Sequence, residues 1–223
     1  MPRHMKIAPS ILAADFAELA GEVERVGPAA DLLHVDVMDG HFVDNLTIGP
    51  PVVKSLAART GLFLDCHLMV ENPGTLLEHF ARAGAGGCTV HVELGDPRPL
   101  FARMRDLGLR VGLACSPATP FEDVEPHLDA LDLLLVMSVE PGWGGQAFIP
   151  EVLDKVRRAR VAIDLAGLDV DIEIDGGITA ATAPLAAAAG ADILVAGSAI
   201  FGARDARRAA DEIRSAALSA LAR

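Results

Sequence analysis

In the stretch Leu33-His34-Val35-Asp36-Val37-Met38-Asp39-Gly40, His34, Asp36 and Met38 alternate with aliphatic residues. A strand with that two-residue period turns the three to one side and packs Leu33, Val35 and Val37 behind them. An imidazole and a carboxylate therefore share one wall. A second imidazole arrives the same way in Asp65-Cys66-His67-Leu68-Met69, and a second carboxylate closes the run Ile172-Glu173-Ile174-Asp175-Gly176-Gly177. His34, Asp36, His67 and Asp175, from three different strands, match the mixed nitrogen and oxygen shell that Zn²⁺, Mn²⁺, Fe²⁺ or Co²⁺ accepts, with zinc the first choice. Asp65 has the parity of His67 and lies one pleat deeper, which suits it either to orient that imidazole from behind or to act as a buried hydrogen-bonding residue.

Such residues need a frame that gathers strand ends. Short β-rich runs at 6–12, 32–37, 62–69, 88–92, 110–115, 133–139, 170–175 and 193–196 alternate with helical patterns. At 16–26, 75–83, 99–107, 151–166 and 206–221, apolar residues recur every three or four positions. Pro73, Pro97, Pro120 and Pro150 stand at or near helix starts, and Gly61, Gly84, Gly108, Gly167 and Gly190 follow helix ends. Pro51, Pro126 and the alanine-rich stretch 180–189 blur the second, fifth and seventh helices. A strict β-then-α order implies a parallel sheet, and eight units in 223 residues fit a closed (β/α)₈ TIM barrel, a single domain over 1–223. An open doubly wound sheet is the alternative, but no GxGxxG or GxxxxGKS/T motif supports it. Residues 1–5 are read as extra or disordered residues ahead of the barrel. The C-terminal strand ends and the loops after them build the active face of such a barrel. That face receives Ser10, His34, Asp36, Met38, His67, Met69, His91 with Glu93, Ser116, Met137, Asp175 and Gly197-Ser198.

A formal net charge of −12 has the wrong sign for steering toward nucleic acid or an anionic membrane surface. Charged residues or glycines interrupt every long apolar stretch, so no run of about 20 residues could span a bilayer. Cys66, Cys88 and Cys115 are odd in number and lack CxxC spacing, which argues against a disulfide framework; buried thiols in a reducing cytoplasm fit best. An anionic ligand must then be held by a local device. The glycine turns after the seventh and eighth strands and the loop Glu140-Pro141-Gly142-Trp143-Gly144-Gly145-Gln146 let backbone N–H groups approach a phosphate, and a short helix starting near Ser198 adds its positive end. The loop at 140–149, with glycines around one bulky aromatic, also has the composition of a lid.

The whole chain, from APSILAADF at Ala8 to VAGSAIFG ending at Gly202, resembles the ribulose-phosphate 3-epimerases, most specifically in HVDVMDGHFVDNLTIGP, LDCHLMVENP, VEPGWGGQAFIPEVLDKV and DGGIT. The resemblance implies one divalent ion per subunit on His34, Asp36, His67 and Asp175, with Asp36 and Asp175 as the acid/base pair. It implies interconversion of D-ribulose 5-phosphate and D-xylulose 5-phosphate through an enediolate, and a homo-oligomer. The substrate-binding set it implies is Ser10, Met38, His67, Met69, Met137, Gly142, Trp143, Gly144, Gly145, Gly176, Gly177, Gly197 and Ser198. Two departures are visible, Glu140 and Trp143, where the family motif usually reads NPGFGGQ. Rival readings are an epimerase of another ketose phosphate such as allulose 6-phosphate, a metal-independent barrel isomerase, which His34 and His67 argue against, and a non-catalytic sugar-phosphate binder.

Overall fold

The computed structural model describes residues 5–221. Eight parallel strands, β1 (Lys6–Pro9), β2 (Leu32–Met38), β3 (Phe63–Met69), β4 (Gly87–His91), β5 (Arg110–Cys115), β6 (Leu133–Met137), β7 (Asp171–Asp175) and β8 (Ile193–Ala196), form one sheet in the order β1-β8-β7-β6-β5-β4-β3-β2. The sheet curls until β1 meets β2. At that seam the contacts are few: a parallel bridge between Ser10 and His34, Asp31 N–H donating to Ile7 O at 3.0 Å, and Ile7 N–H donating to the Asp31 carboxylate at 2.8 Å. The expected (β/α)₈ barrel is thus present.

Helices α1 (Leu19–Val26), α2 (Pro50–Ala57), α3 (Leu77–Ala83), α4 (Arg98–Asp106), α5 (Leu153–Ala166), α6 (Ala183–Ala189), α7 (Ser198–Phe201) and α8 (Ala206–Leu221) accompany the strands. Their apolar stripes pack on the outward-facing strand residues: Leu77 and Phe80 of α3, for example, are fully buried, each worth about 1.5–3 kcal/mol of burial. The fifth connection differs from the expected pattern. Between β5 and β6 the chain makes only two 3₁₀ turns, Phe121–Asp123 and Glu125–Ala130. Pro120 only caps the first of them, and Pro126 lacks an amide hydrogen and interrupts any continuous ladder there. β1 and β6 also stop short of the expected ends, at Pro9 and Met137, and residues 11–13 form a 3₁₀ turn capped by Ser10. Met1 to His4 lie outside the described residues, whereas Met5 is buried in the core.

Inside the barrel, Ala8, Leu32, Leu133, Ile193 and Val195 form an apolar cluster with Phe63 against them. One level matters for packing: a Cβ on Gly112 would lie 2.0 Å from Thr89 Oγ1, so β4 and β5 leave room there for nothing larger than hydrogen. The three thiols are free and buried, and burial pushes Cys115 up to about 12, which keeps it inert. Among the described residues, no helix is long and apolar enough to cross a membrane.

Candidate active site

The parallel register sets neighbouring strands so that His34 stands beside Asp65, Asp36 beside His67 and Met38 beside Met69 on β2 and β3, while Met137 stands beside Asp175 on β6 and β7. The two-residue period then turns these residues into the barrel in rows. One ligand atom from each of His34, Asp36, His67 and Asp175 lies within 4.8 Å of the others. Asp36 Oδ1 is the shared point, 3.2 Å from His34 Nε2 and 3.1 Å from His67 Nδ1. The other Asp36 oxygen accepts a 2.5 Å hydrogen bond from Ser10 Oγ, and Asp175 Oδ2 stands 3.8 Å from His34 Nε2.

Above this cluster opens a cavity of about 730 Å³. Of the residues expected from the sequence, Ser10, Asp36, Met38, Met69, Met137, Gly142, Trp143, Gly144, Gly145, Asp175, Gly176, Gly177, Gly197 and Ser198 line it. His34 and His67 do not; both are fully buried just beneath its floor. Among the described residues, neither lysine nor arginine lines the cavity. Gly176 and Gly177 have φ of +121° and +62°, and a Cβ on Gly177 would lie 2.5 Å from Phe148 N, so the turn after β7 and the 140–149 loop touch only because glycine stands there. Gln146 ties that loop by donating to the carbonyls of Glu140 and Trp143, both exposed at its rim.

Sequence reasoning missed several parts. Asn45 Nδ2 donates to Gly142 O at 2.7 Å, linking the loop after β2 to the lid-like loop. Ser138, fully buried, donates from Oγ to the carbonyls of Asp175 and Gly176 and braces the end of β7. Glu173, also fully buried, places Oε1 2.9 Å from His34 Nδ1. Its parity with Asp175 was the available signal. Asp65 is displaced from its expected partner: Oδ2 lies 3.4 Å from His34 Nδ1, because the register sets it beside His34 rather than behind His67.

The electrostatics follow from burial and this crowd of carboxylates. Burial pushes the His34 imidazole down, but Asp36 and Glu173 outweigh it and hold its pKa well above the ordinary value, so positive charge is favoured at this point. Burial opposes the Asp36 charge, yet His34 and His67 hold that carboxyl below the usual range. His67 goes the other way, pushed down to about 4 by burial against the pull of Asp36, and is a neutral ring at physiological pH. Asp175 is raised to about 7 by burial and by Asp36, although 16% of its side chain faces the cavity; Glu173 rises to about 8 through burial and Asp65. Two carboxyls in one site are thereby separated, Asp36 ionised and Asp175 able to carry a proton near neutrality.

The sequence profile described as the Ribulose-phosphate 3 epimerase family matches residues 6–201. The chain belongs to the ribulose-phosphate 3-epimerase family. The ribulose-phosphate 3-epimerase of Mycobacterium tuberculosis (strain ATCC 25618 / H37Rv) is 54% identical over 212 residues, covering 93% of this chain and 91% of that one. The cytoplasmic isoform from Oryza sativa subsp. japonica is 50% identical over 206 residues, 90% and 89% of the two chains. Among solved structures, 3-hexulose-6-phosphate synthase from Salmonella typhimurium shares the fold at a TM-score of 0.73 and 19% identity, over 97% of this chain and all of that one. For this ribulose-phosphate 3-epimerase family member the expectation of an epimerase is met.

Proposed function

We propose that the protein interconverts D-ribulose 5-phosphate and D-xylulose 5-phosphate by moving the proton on C3 from one face of the ketose to the other. In this reading one divalent cation per subunit, zinc in the first instance, is held by His34, Asp36, His67 and Asp175. The observation that carries it is the convergence of those four side chains, one donor atom each within 4.8 Å, under a 730 Å³ cavity in a member of this family. The donor set fits such an ion: two imidazole nitrogens and two carboxylates, in a pocket whose charges favour a cation. When bound, the cation supplies Lewis-acid stabilisation, worth several kcal/mol, to charge developing on the substrate oxygens.

The rest falls to the chain's own side chains. Ionised Asp36 takes the C3 proton; the C–H electron pair flows into the carbonyl to give an enediolate, and Asp175, carrying a proton near neutral pH, delivers it to the opposite face of C3. The two carboxyls have then exchanged protonation states, and the reverse reaction starts from the exchanged pair. Each such group is worth typically ~10²–10⁴-fold. Ser10 steadies Asp36 through its hydrogen bond, while Met38, Met69 and Met137 cover the reacting carbons and exclude water. With neither lysine nor arginine among the described residues lining the cavity, the phosphate rests on backbone amides of the glycine turns: Gly142, Gly144 and Gly145 beside Trp143, Gly176 and Gly177, and Gly197 with Ser198 at the start of α7. We place this single-domain subunit in a cytoplasmic homo-oligomer; the rice relative's name and the three free thiols support the compartment.

The test is an assay of purified protein on both pentose phosphates and on allulose 6-phosphate, with elemental analysis of bound metal. Pentose turnover that strong chelation abolishes, with about one divalent ion per chain, is expected. Full activity in metal-free protein, or a preference for the six-carbon substrate, would overturn the reading.

A further inference from the structure

The polar pair His91 and Glu93, singled out at the strand ends, touches neither the cavity nor Asp36, yet it completes a chain of contacts behind His67. His67 Nε2 lies 2.8 Å from His91 Nε2, and His91 Nδ1 lies 2.9 Å from Glu93 Oε2. Glu93 Oε1 accepts the Ser116 N–H at 2.7 Å and the Thr119 hydroxyl. The rings of His67 and His91 stack at 5.0 Å, Phe42 packs on His91 at 4.7 Å, and both imidazoles are buried. We propose that His91 and Glu93 are positioning residues that fix the tautomer of His67 and so aim its Nδ1 lone pair at the cation site; the inference rests on the cation reading above.

Donor and acceptor counting carries the argument. Glu93 Oε1 is committed to two donors from the loop after β5; against the cost of burial, His91 and these donors hold the carboxyl down at about 2, so it is ionised and its Oε2 receives a proton from His91 Nδ1. A neutral His91 then has only a lone pair at Nε2. The 2.8 Å contact requires His67 to supply the hydrogen from its own Nε2, which leaves Nδ1 of His67 unprotonated. That nitrogen faces Asp36 Oδ1 at 3.1 Å, lone pair toward lone pair, an arrangement that a positive ion between them resolves. A carboxylate at the rim thus decides, through two rings, which nitrogen of a buried histidine is open to a metal.

Glu93→Gln is the decisive variant because it is isosteric and its site is a quarter exposed. Ser116 N–H holds the amide oxygen in the Oε1 position, so the NH₂ group must face His91. The amide then donates to His91 Nδ1, His91 donates from Nε2 to His67 Nε2, and the hydrogen of His67 is driven onto Nδ1, the nitrogen the cation needs. The expected zinc dissociation constant, measured by chelator competition, rises about 10- to 100-fold, while the melting temperature of the metal-free protein stays that of the parent. In the zinc-loaded parent, long-range ¹H–¹⁵N spectra should show His91 protonated at Nδ1 and His67 at Nε2. A proton on Nε2 of His91 in that spectrum, or a Glu93→Gln protein that holds zinc as tightly as the parent, would overturn the relay while leaving the cation site intact. A parent protein that binds no zinc would overturn the cation reading and the relay together.

Discussion

The two histidines under the cavity are backed by different surroundings. Behind His34 stand Asp65 and Glu173, buried carboxyls close to Nδ1 but aligned for no hydrogen bond to it; among the described residues, Asp65 Oδ2, both Glu173 oxygens and His34 Nδ1 are left without one. Behind His67 stands an ordered series of contacts that leads through His91 to a rim carboxylate anchored on two donors. The first arrangement crowds carboxyls against the ring without directing a hydrogen to either of its nitrogens. The second acts through direction, allocating hydrogens among nitrogens. One site can therefore be tuned in strength from one side and in geometry from the other, by residues that never meet the substrate.

The harshest way to break the comparison is to remove what both histidines serve. Asp175→Asn should leave the circular dichroism spectrum unchanged and lower kcat by ~10²–10⁴-fold, the worth of a positioned proton carrier; near-parental turnover would sink the acid/base pair. A sharper contrast comes from Glu173→Gln. Because burial and Asp65 hold Glu173 near 8, it is largely protonated at pH 7, and its amide should change zinc affinity there by less than tenfold, well below the loss expected for Glu93→Gln. Equal losses in the two variants would erase the distinction between the sides. Smaller still is a pH effect in the metal-free protein. His34, Asp175 and Glu173 are all raised above their unfolded values, so each adds stability at low pH that is lost as pH climbs through its folded value; His67 is lowered, and its opposing contribution ends by about pH 6.5. Its melting temperature should therefore fall between about pH 6.5 and 8, and zinc should flatten that slope. The mildest test is Asn45→Ala, which removes one link to the 140–149 loop, about 0.5–1.5 kcal/mol, and should raise KM by roughly 2- to 12-fold with zinc affinity untouched.

How much of this was legible in the sequence depended on the kind of regularity involved. Parity along a strand is local, so His34, Asp36 and Met38, and likewise Asp65, His67 and Met69, could be assigned to one face from their spacing alone. Register between strands is not local. Spacing paired Asp65 with His67 on its own strand, while the β2–β3 pairing set it beside His34. Glu173 carried the right parity but meets His34 from a strand almost 140 residues away in sequence, and only barrel closure brings them together. The missing fifth helix has a local cause that the sequence did announce in Pro126, whereas Pro120, read as a helix start, opens only a 3₁₀ turn. Asn45 and Ser138 act on backbone carbonyls of other loops, contacts that no residue pattern encodes.

The seam between the first and second strands has a bearing on how the protein matures. Ser10 joins β1 to β2 through its bridge with His34, and the same residue's hydroxyl is the one that grips Asp36. A nascent chain whose leading strand has yet to dock would lack both the final stave of the cylinder and the brace on its central acid. Closure of the cylinder and the bracing of Asp36 are thus one event, completed only when the two edges of the sheet have found each other.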